Sequence, residues 1–263
     1  MGSGTLRKAG IGLESTCAIA VMAKAPRPGQ VKTRLQTVLD AAEAAAISAA
    51  FLRDATANIQ AAAAYAPIHG FVAFAPEGDE ARFTGLLAPG TALVLANGEG
   101  GDADGVEGLG RCLLHATRAL LARGYGAVCL VNADSPTLPT RLLVQAAQHL
   151  LAPGRRAVVG PADDGGYWLL GMQSPEPWLV ANIAWSTTEV VAATSQRAAE
   201  LGLELQVLDT WFDVDDPASL QRLVRDLLQP DNVPTQPYLA PATRKCVATL
   251  RLADRLRSAL SDA

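Results

Sequence analysis

Four cationic side chains lie in one short segment that follows the first apolar run of the chain. The segment is Lys24-Ala-Pro-Arg-Pro-Gly-Gln-Val-Lys-Thr-Arg34, directly after residues 17–23. Its prolines and glycine predict a loop, whose amides and cations can hold a diphosphate. It is not a Walker loop, because Val31 stands where that motif requires Gly; an ordinary solvated loop is the alternative. The candidate phosphate-binding residues are Lys24, Gly29, Lys32, Thr33 and Arg34.

Two acidic segments each follow a predicted strand. Asn132-Ala-Asp-Ser-Pro136 comes after the apolar run 127–131, and Asp213-Val-Asp-Asp-Pro217 comes after 203–208. Carboxylates beside a bound phosphate suit Mg²⁺ or Mn²⁺, which take one or two of them and fill the other positions with phosphate and water. A turn or a helix cap is the alternative at Asp134, and Asp216 is predicted to cap a helix that begins at Pro217. The candidate metal ligands are Asp134, Asp213 and Asp215, and Asp134 is also a candidate catalytic residue.

A third acidic segment contains two glycines and precedes an aromatic strand. In Asp163-Asp-Gly-Gly-Tyr-Trp168 the glycines allow close backbone approach, and a carboxylate can receive the proton of an acceptor hydroxyl. A tight hairpin turn needs the same residues. Trp185, which precedes another predicted helix, could line the acceptor pocket, although a Trp at such a position is often a core residue. Asp164 is the second candidate catalytic residue. The candidate acceptor-side residues are Asp163, Gly165, Gly166, Tyr167 and Trp185.

Strands and helices of 10 to 15 residues alternate along the chain, which predicts a three-layer α/β/α fold around a mostly parallel, mixed sheet. We predict strands at 17–23, 71–74, 92–96, 127–131, 156–160, 167–172 and 203–208. We predict helices at 40–64, 77–87, 113–124, 140–151, 188–201 and 217–228. A flexible leader at 1–16 and a Pro-rich linker at 229–241 flank this domain. A C-terminal helix at 242–263 follows, either packed on the domain or forming a homodimer contact.

Composition narrows the classes of protein that fit. The chain has 263 residues, of which 49% are hydrophobic and 18% charged, and no apolar run reaches the roughly 20 residues of a membrane span. The net charge of −4 argues against a nucleic-acid partner. The four cysteines are scattered without metal-ligand spacing, so we expect reduced thiols and a cytoplasmic protein.

The motifs together resemble the glycosyltransferase-A-like family labelled radical-SAM/selenodomain-associated transferase 1, over roughly residues 17–228. Besides the segments above, Trp-Ser-Thr at 185–187 carries the resemblance. The family implies a nucleotide-diphospho-sugar transferase fold, with Lys24, Lys32 and Arg34 on phosphates, Asp134 and Asp215 on the metal, and 164–167 on the acceptor side. Two segments depart from its pattern: Gly108-Leu-Gly-Arg-Cys112 lacks an acid, and Asp134-Ser-Pro lacks the second acid of an Asp-x-Asp motif.

Three functions stay open on the sequence. The first is glycosyl transfer from a nucleotide sugar to a small-molecule acceptor, with a divalent cation as cofactor. The second is nucleotidyl transfer from a nucleoside triphosphate to a phosphorylated small molecule, because either reaction develops charge on a pyrophosphate bridge. The third is a nucleotide-binding protein that has lost its activity.

Overall fold

A seven-stranded sheet forms the centre of the molecule. The computed structural model describes residues 12–99, 103–184, 187, 189–229 and 236–261, and side chains up to residue 256. The strands are β1 (Cys17–Ala23), β2 (Ile68–Phe74), β3 (Ala92–Leu95), β4 (Ala127–Asn132), β5 (Arg156–Pro161), β6 (Tyr167–Met172) and β7 (Glu204–Val207). Their order is β3-β2-β1-β4-β6-β5-β7, and β6 alone is antiparallel to its neighbours. The predicted mixed, mostly parallel sheet is confirmed.

Eight α-helices are described around the sheet. They are α1 (Ala41–Ala62), α2 (Leu109–Leu121), α3 (Thr140–Leu151), α4 (Pro177–Val180), α5 (Val190–Glu200), α6 (Pro217–Leu228), α7 (Pro241–Thr249) and α8 (Leu252–Ser261). Short 3-10 helices lie at Leu13–Ser15, Thr33–Thr37 and Glu80–Phe83.

The sheet is buried on both faces, which explains the continuous apolar run of β1. Cys17, Ile19 and Val21 point into one core cluster, which α1, α3 and α6 cover. Ala18 and Ala20 point into a second cluster, which α2, α4 and α5 cover. Alternate residues of a strand face opposite sides of a sheet, so a strand between two helical layers must be apolar at every position.

Two predicted helices were wrong in detail. The helix predicted at 77–87 is only the 3-10 turn Glu80–Phe83, because Gly78 and Gly85 on either side adopt positive φ angles of 90° and 74°. The predicted C-terminal helix is two helices, α7 and α8, separated at Arg251, whose φ of 53° is left-handed. The short helix α4 was not predicted.

The segments outside the predicted domain are bound to it where they are described. Residues 1–11 of the predicted leader lie outside the described residues, but the Gly126 N–H donates to the Leu13 carbonyl at 3.0 Å. Residues 230–235 of the predicted linker are also outside them. After the linker, α7 packs against α1. The carboxylate of Asp54, a residue of α1, accepts the N–H groups of Ala242 and Thr243 at 3.0 and 2.6 Å. Within the described residues, no helix has the length and apolar character to cross a membrane.

Candidate active site

The basic loop and the acidic segments meet at one edge of the sheet. β1 and β4 are parallel neighbours, with Met22 opposite Asn132, so the segments that follow them leave the sheet side by side. A cavity of about 480 Å³ lies there. It is lined by Met22, Ala23, Lys24, Gln30, Val31, Lys32, Thr33, Arg34, Ser48, Leu52, Ala133, Asp134, Asp164 and Asp215. Ligand sites of open α/β sheets lie at this carboxyl edge.

The backbone of the basic loop turns twice before α1. Gly29 has a φ of 77°, and the Gln30 N–H donates to the Arg27 carbonyl at 3.0 Å. Lys32 has a left-handed backbone, with φ 49° and ψ 39°, and the 3-10 helix begins at the next residue. A left-handed conformation is uncommon for a residue with a side chain. The loop thus gives the backbone of Lys32 an unusual conformation.

Lys32 lies between two carboxylates. Its ammonium contacts Asp134 Oδ1 at 2.7 Å and Asp215 Oδ1 at 2.9 Å, and it donates to the Val214 carbonyl at 2.6 Å. The Phe51 ring lies beneath it, 5.6 Å from Nζ to the ring centroid. Only 6% of the Lys32 side chain is exposed, against 34% for Asp134 and 41% for Asp215. The lysine is therefore a buried centre of this cluster.

The charges of this cluster shift its pKa values. Burial lowers the pKa of Lys32, but Asp134 and Asp215 raise it by more, so the net shift is upward and the ammonium stays protonated. Burial raises the pKa of Asp134, Lys32 lowers it and Asp215 raises it, with a net upward shift. Burial, with the nearby carboxylates of Asp215, Asp164 and Asp134, raises the pKa of Asp213 to about 6. Acidic groups thus crowd this edge of the sheet.

The segment 213–215 is held by its backbone and by the start of α6. The Val214 N–H donates to the Asp134 carbonyl at 2.9 Å. Asp216 accepts the Ser219 N–H at 2.8 Å as the N-cap of α6, as predicted from Pro217. This fixes Asp215 beside Asp134. Asp213 is half-buried nearby and does not line the cavity.

The third acidic segment is the turn between β5 and β6. Ala162 and Gly166 are joined by a backbone hydrogen bond of 2.9 Å, and Gly165 has a φ of 91°. Asp164 Oδ1 accepts the Gly166 N–H at 2.8 Å, and this carboxylate lines the cavity. Asp163 instead forms an ion pair with Arg222, whose guanidinium stacks on Phe212. The hairpin interpretation is right, and the same turn also brings one acid to the cavity.

Three predicted phosphate-binding side chains form no hydrogen bond or ion pair with any residue that the structure describes. Lys24, Thr33 and Arg34 are exposed and line the cavity. Within the described residues no hydrogen bond or ion pair engages these side chains. Their donors are available to a ligand, whereas those of Lys32 are engaged by protein oxygens.

The structure brings together some of the predicted site residues and not others. The cavity is lined by Lys24, Lys32, Thr33, Arg34, Asp134, Asp164 and Asp215. It is not lined by Gly29, Asp163, Gly165, Gly166, Tyr167 or Asp213. Trp185 lies outside the described residues. Sequence reasoning missed Gln30, a residue of the predicted loop, and Ser48 and Leu52, which lie one turn apart on α1.

The donor set fits a divalent cation only if the substrate supplies further ligands. No group of three or more His, Cys, Asp and Glu side chains is arranged to hold a metal among the described residues. The oxygens of Asp134 and Asp215 do converge on one point, the Lys32 ammonium. Mg²⁺ and Mn²⁺ commonly bind with one or two carboxylates, with phosphate oxygens and waters completing the shell. Asp134 and Asp215 would hold such a cation.

Comparison with known proteins supports the fold. Residues 58–187 match the family described as "Uncharacterized protein conserved in bacteria (DUF2064)". The crystal structure of a "putative nucleotide-diphospho-sugar transferase from Desulfovibrio desulfuricans G20" is similar at 26% identity and a TM-score of 0.73, covering 93% of this chain and 97% of that one. The chain has the fold of nucleotide-diphospho-sugar transferases. No curated protein matches the chain in sequence.

Two more distant structures have TM-scores below 0.5. The CMP:2-keto-3-deoxy-manno-octonic acid synthetase complexed with CTP is 12% identical, with a TM-score of 0.48, and covers 82% of this chain and 99% of that one. The glucosyl-3-phosphoglycerate synthase of Mycobacterium tuberculosis, in complex with Mn²⁺, UDP and product, is 13% identical, with a TM-score of 0.46 and 88% of each chain covered. The radical-SAM-associated label is not among these matches and stays a prediction.

Proposed function

We propose that the protein is a metal-dependent transferase that moves a glycosyl group from a nucleotide sugar to a small-molecule acceptor. One observation carries the proposal: two exposed cationic side chains, Lys24 and Arg34, and a pair of carboxylates line the same cavity at the carboxyl edge of the sheet. Cations bind a diphosphate, and carboxylates bind the cation that accompanies it. The similarity to a protein named for nucleotide-diphospho-sugar transfer supports this substrate class.

The chain's own residues supply the diphosphate site. Lys24 and Arg34 would donate to phosphate oxygens, since they line the cavity as exposed side chains and form no hydrogen bond or ion pair with the described residues. The hydroxyl of Thr33 and the Ser48 hydroxyl, on opposite sides of the loop–α1 junction, would add neutral donors. A divalent cation held by Asp134 and Asp215 would stabilise the negative charge of the departing diphosphate.

Asp164 would act on the acceptor. Its carboxylate lines the cavity and is fixed by the Gly166 N–H. In the reaction, the bond between the anomeric carbon and the diphosphate oxygen breaks, and the acceptor oxygen forms a new bond to that carbon. Asp164 would receive the proton that the acceptor hydroxyl loses, which is general-base catalysis. The bonding electrons leave with the nucleoside diphosphate.

A thermal-shift screen tests the nucleotide site, and the product tests the reaction. Nucleoside diphosphates, nucleotide sugars and triphosphates are added with and without Mn²⁺. A ligand at about a hundred times its Kd stabilises the folded state by about 2.7 kcal/mol, which is a shift of several degrees. We expect metal-dependent stabilisation by a nucleotide sugar and release of nucleoside diphosphate on turnover. Release of pyrophosphate from a triphosphate would instead establish nucleotidyl transfer, and no shift with any nucleotide would refute the site.

A further inference from the structure

Lys32 has no ammonium donor left for a phosphate in the observed arrangement. An ammonium has three N–H donors. Those of Lys32 meet three oxygens of the protein, Asp134 Oδ1 at 2.7 Å, Asp215 Oδ1 at 2.9 Å and the Val214 carbonyl at 2.6 Å. Lys32 can therefore contact a phosphate only by giving up one of these partners.

The Lys32 ammonium occupies the position at which a divalent metal ion would contact both carboxylates. The oxygens of Asp134 and Asp215 that contact Nζ are hard oxygen donors of the kind that Mg²⁺ and Mn²⁺ bind. An ammonium and a divalent cation repel each other and cannot share one pair of carboxylate oxygens at these distances. The two cations are alternative occupants of the same point.

Lys32 is held by its left-handed backbone and by buried contacts of its side chain. Its backbone is left-handed, its side chain is 6% exposed, and the Phe51 ring lies beneath the ammonium. By contrast, Lys24 and Arg34 of the same loop line the cavity as exposed side chains, with no hydrogen bond or ion pair in the described part of the chain. The donors of these two side chains are therefore accessible to a nucleotide diphosphate, whereas those of Lys32 are engaged.

We propose that Lys32 makes binding of the divalent cation depend on binding of the nucleotide. The ammonium holds the carboxylate pair until a diphosphate supplies oxygens to which it can turn, and the pair then becomes available to the metal. This inference rests on the proposed function, since it assumes a nucleotide diphosphate in this cavity. Coupling between two ligands is reciprocal, so the cation must strengthen nucleotide binding by the same factor.

Mn²⁺ titrations followed by electron paramagnetic resonance test the coupling, because only free Mn²⁺ gives the full signal. The full-length wild type, Lys32→Met and Lys24→Met are titrated with and without a nucleoside diphosphate. Lys24→Met removes the same charge from the same loop without touching the carboxylate pair. We expect the wild type to bind Mn²⁺ at least tenfold more tightly with the nucleotide than without it. Without nucleotide, Lys32→Met should bind Mn²⁺ at least tenfold more tightly than the wild type, and Lys24→Met should not.

Three results would overturn the inference. One is a wild type whose Mn²⁺ affinity is the same with and without nucleotide. Another is a Lys32→Met variant that circular dichroism shows to be folded and that binds Mn²⁺ without nucleotide no more tightly than the wild type. If Lys32→Met does not fold, Lys32→Gln replaces it, and the comparison of the wild type with and without nucleotide still tests the coupling. The third is a gain of the same size in Lys24→Met, which would assign the effect to net charge. Nucleotide binding measured by dialysis in the same samples separates the two proposals, because failure of the coupling with retained nucleotide binding leaves the proposed function intact.

Discussion

The backbone N–H of Val214 donates to the carbonyl oxygen of Asp134 at 2.9 Å. This hydrogen bond joins the two acidic segments, which are far apart in sequence, through backbone atoms that remain when the side chain of Asp134 or Asp215 is replaced. The carboxylates of Asp134 and Asp215 are therefore brought together by the backbone, and each can be changed while the local geometry is kept.

Asp134→Asn should separate activity from folding. The amide keeps the shape of the side chain but loses the charge that would hold a metal, so we expect kcat/KM to fall on the order of 10²-fold or more. The Asp134 side chain is 34% exposed, and the buried Lys32 ammonium keeps Asp215 and the Val214 carbonyl as partners, so the free energy of unfolding should fall by no more than about 3 kcal/mol. Metal-dependent turnover and urea denaturation measure the two effects. The control is Asp209→Asn, which removes an acid that is paired with Arg141 and lies outside the cavity. If Asp134→Asn turns over at the wild-type rate, Asp134 has no part in the mechanism.

Asp163 and Asp164 are adjacent in the β5–β6 turn but should respond differently to substitution. Asp164 lines the cavity, whereas Asp163 is paired with Arg222. General-base catalysis contributes about 10²- to 10⁴-fold, so Asp164→Asn should lower kcat by such a factor. Asp163→Asn should leave kcat within about threefold, and the loss of an exposed ion pair costs about 1 kcal/mol or less. Steady-state kinetics with saturating donor measures both variants, and equal losses would mean that the turn acts only as a structural element.

The sequence identified most of the chemical groups of the site because each follows a strand. In a parallel sheet, the ends of neighbouring strands lie at one edge, so the loop after β1 and the acid after β4 meet once these strands are adjacent. The buried character of the strands also indicated the layers correctly. Both the residues that follow each strand and the burial of the strands can be read from the local pattern of apolar and polar residues in a single sequence.

The contact between Lys32 and the two carboxylates could not be predicted in the same way. It depends on the left-handed backbone of Lys32 and on the path of residues 208–215, which no pattern of residue types specifies. Ser48 and Leu52 were missed for a related reason: they fit the helical pattern of α1, and only the tertiary position of that helix places them at the cavity. The helix predicted at 77–87 is wrong because Gly78 and Gly85, on either side of the 3-10 turn, adopt positive φ angles that an α-helix excludes.

The free cations of the loop should determine nucleotide affinity. A charge-assisted hydrogen bond contributes about 1.5 to 3 kcal/mol, so Lys24→Gln and Arg34→Gln should each raise the Kd for a nucleoside diphosphate by about tenfold or more. The effect should be larger at low salt because both side chains are exposed. Isothermal titration calorimetry at two salt concentrations measures it. Lys245→Gln removes an exposed charge on α7 and should leave Kd unchanged; if it weakens binding equally, the effect is one of net charge and not of the site.

Asp54 should stabilise the docking of α7. Its carboxylate accepts the N–H groups of Ala242 and Thr243, which begin that helix. Loss of such a cap costs about 1 to 2 kcal/mol, so Asp54→Ala should lower the free energy of unfolding by that amount. Urea denaturation measures the change. Asp209→Ala, at a position where the side chain is 64% exposed, should cost less than about 1 kcal/mol, and equal losses would contradict a specific role of Asp54.

The contribution of Asp54 should also depend on pH. Burial raises the pKa of this carboxyl above its ordinary value, although the hydrogen bonds from Thr243 and Ala242 oppose the shift. The folded protein then holds the proton more tightly than the unfolded chain. The proton-linked part of the stability is therefore complete below about pH 4 and is lost as the pH rises through the raised pKa, while the hydrogen bonds to α7 remain. We expect the free energy of unfolding of the wild type, relative to Asp54→Asn, to decrease between about pH 4 and pH 7 in urea denaturation. A difference that increases over this interval would mean that the two amide donors outweigh burial and that the pKa of Asp54 is lowered in the folded protein.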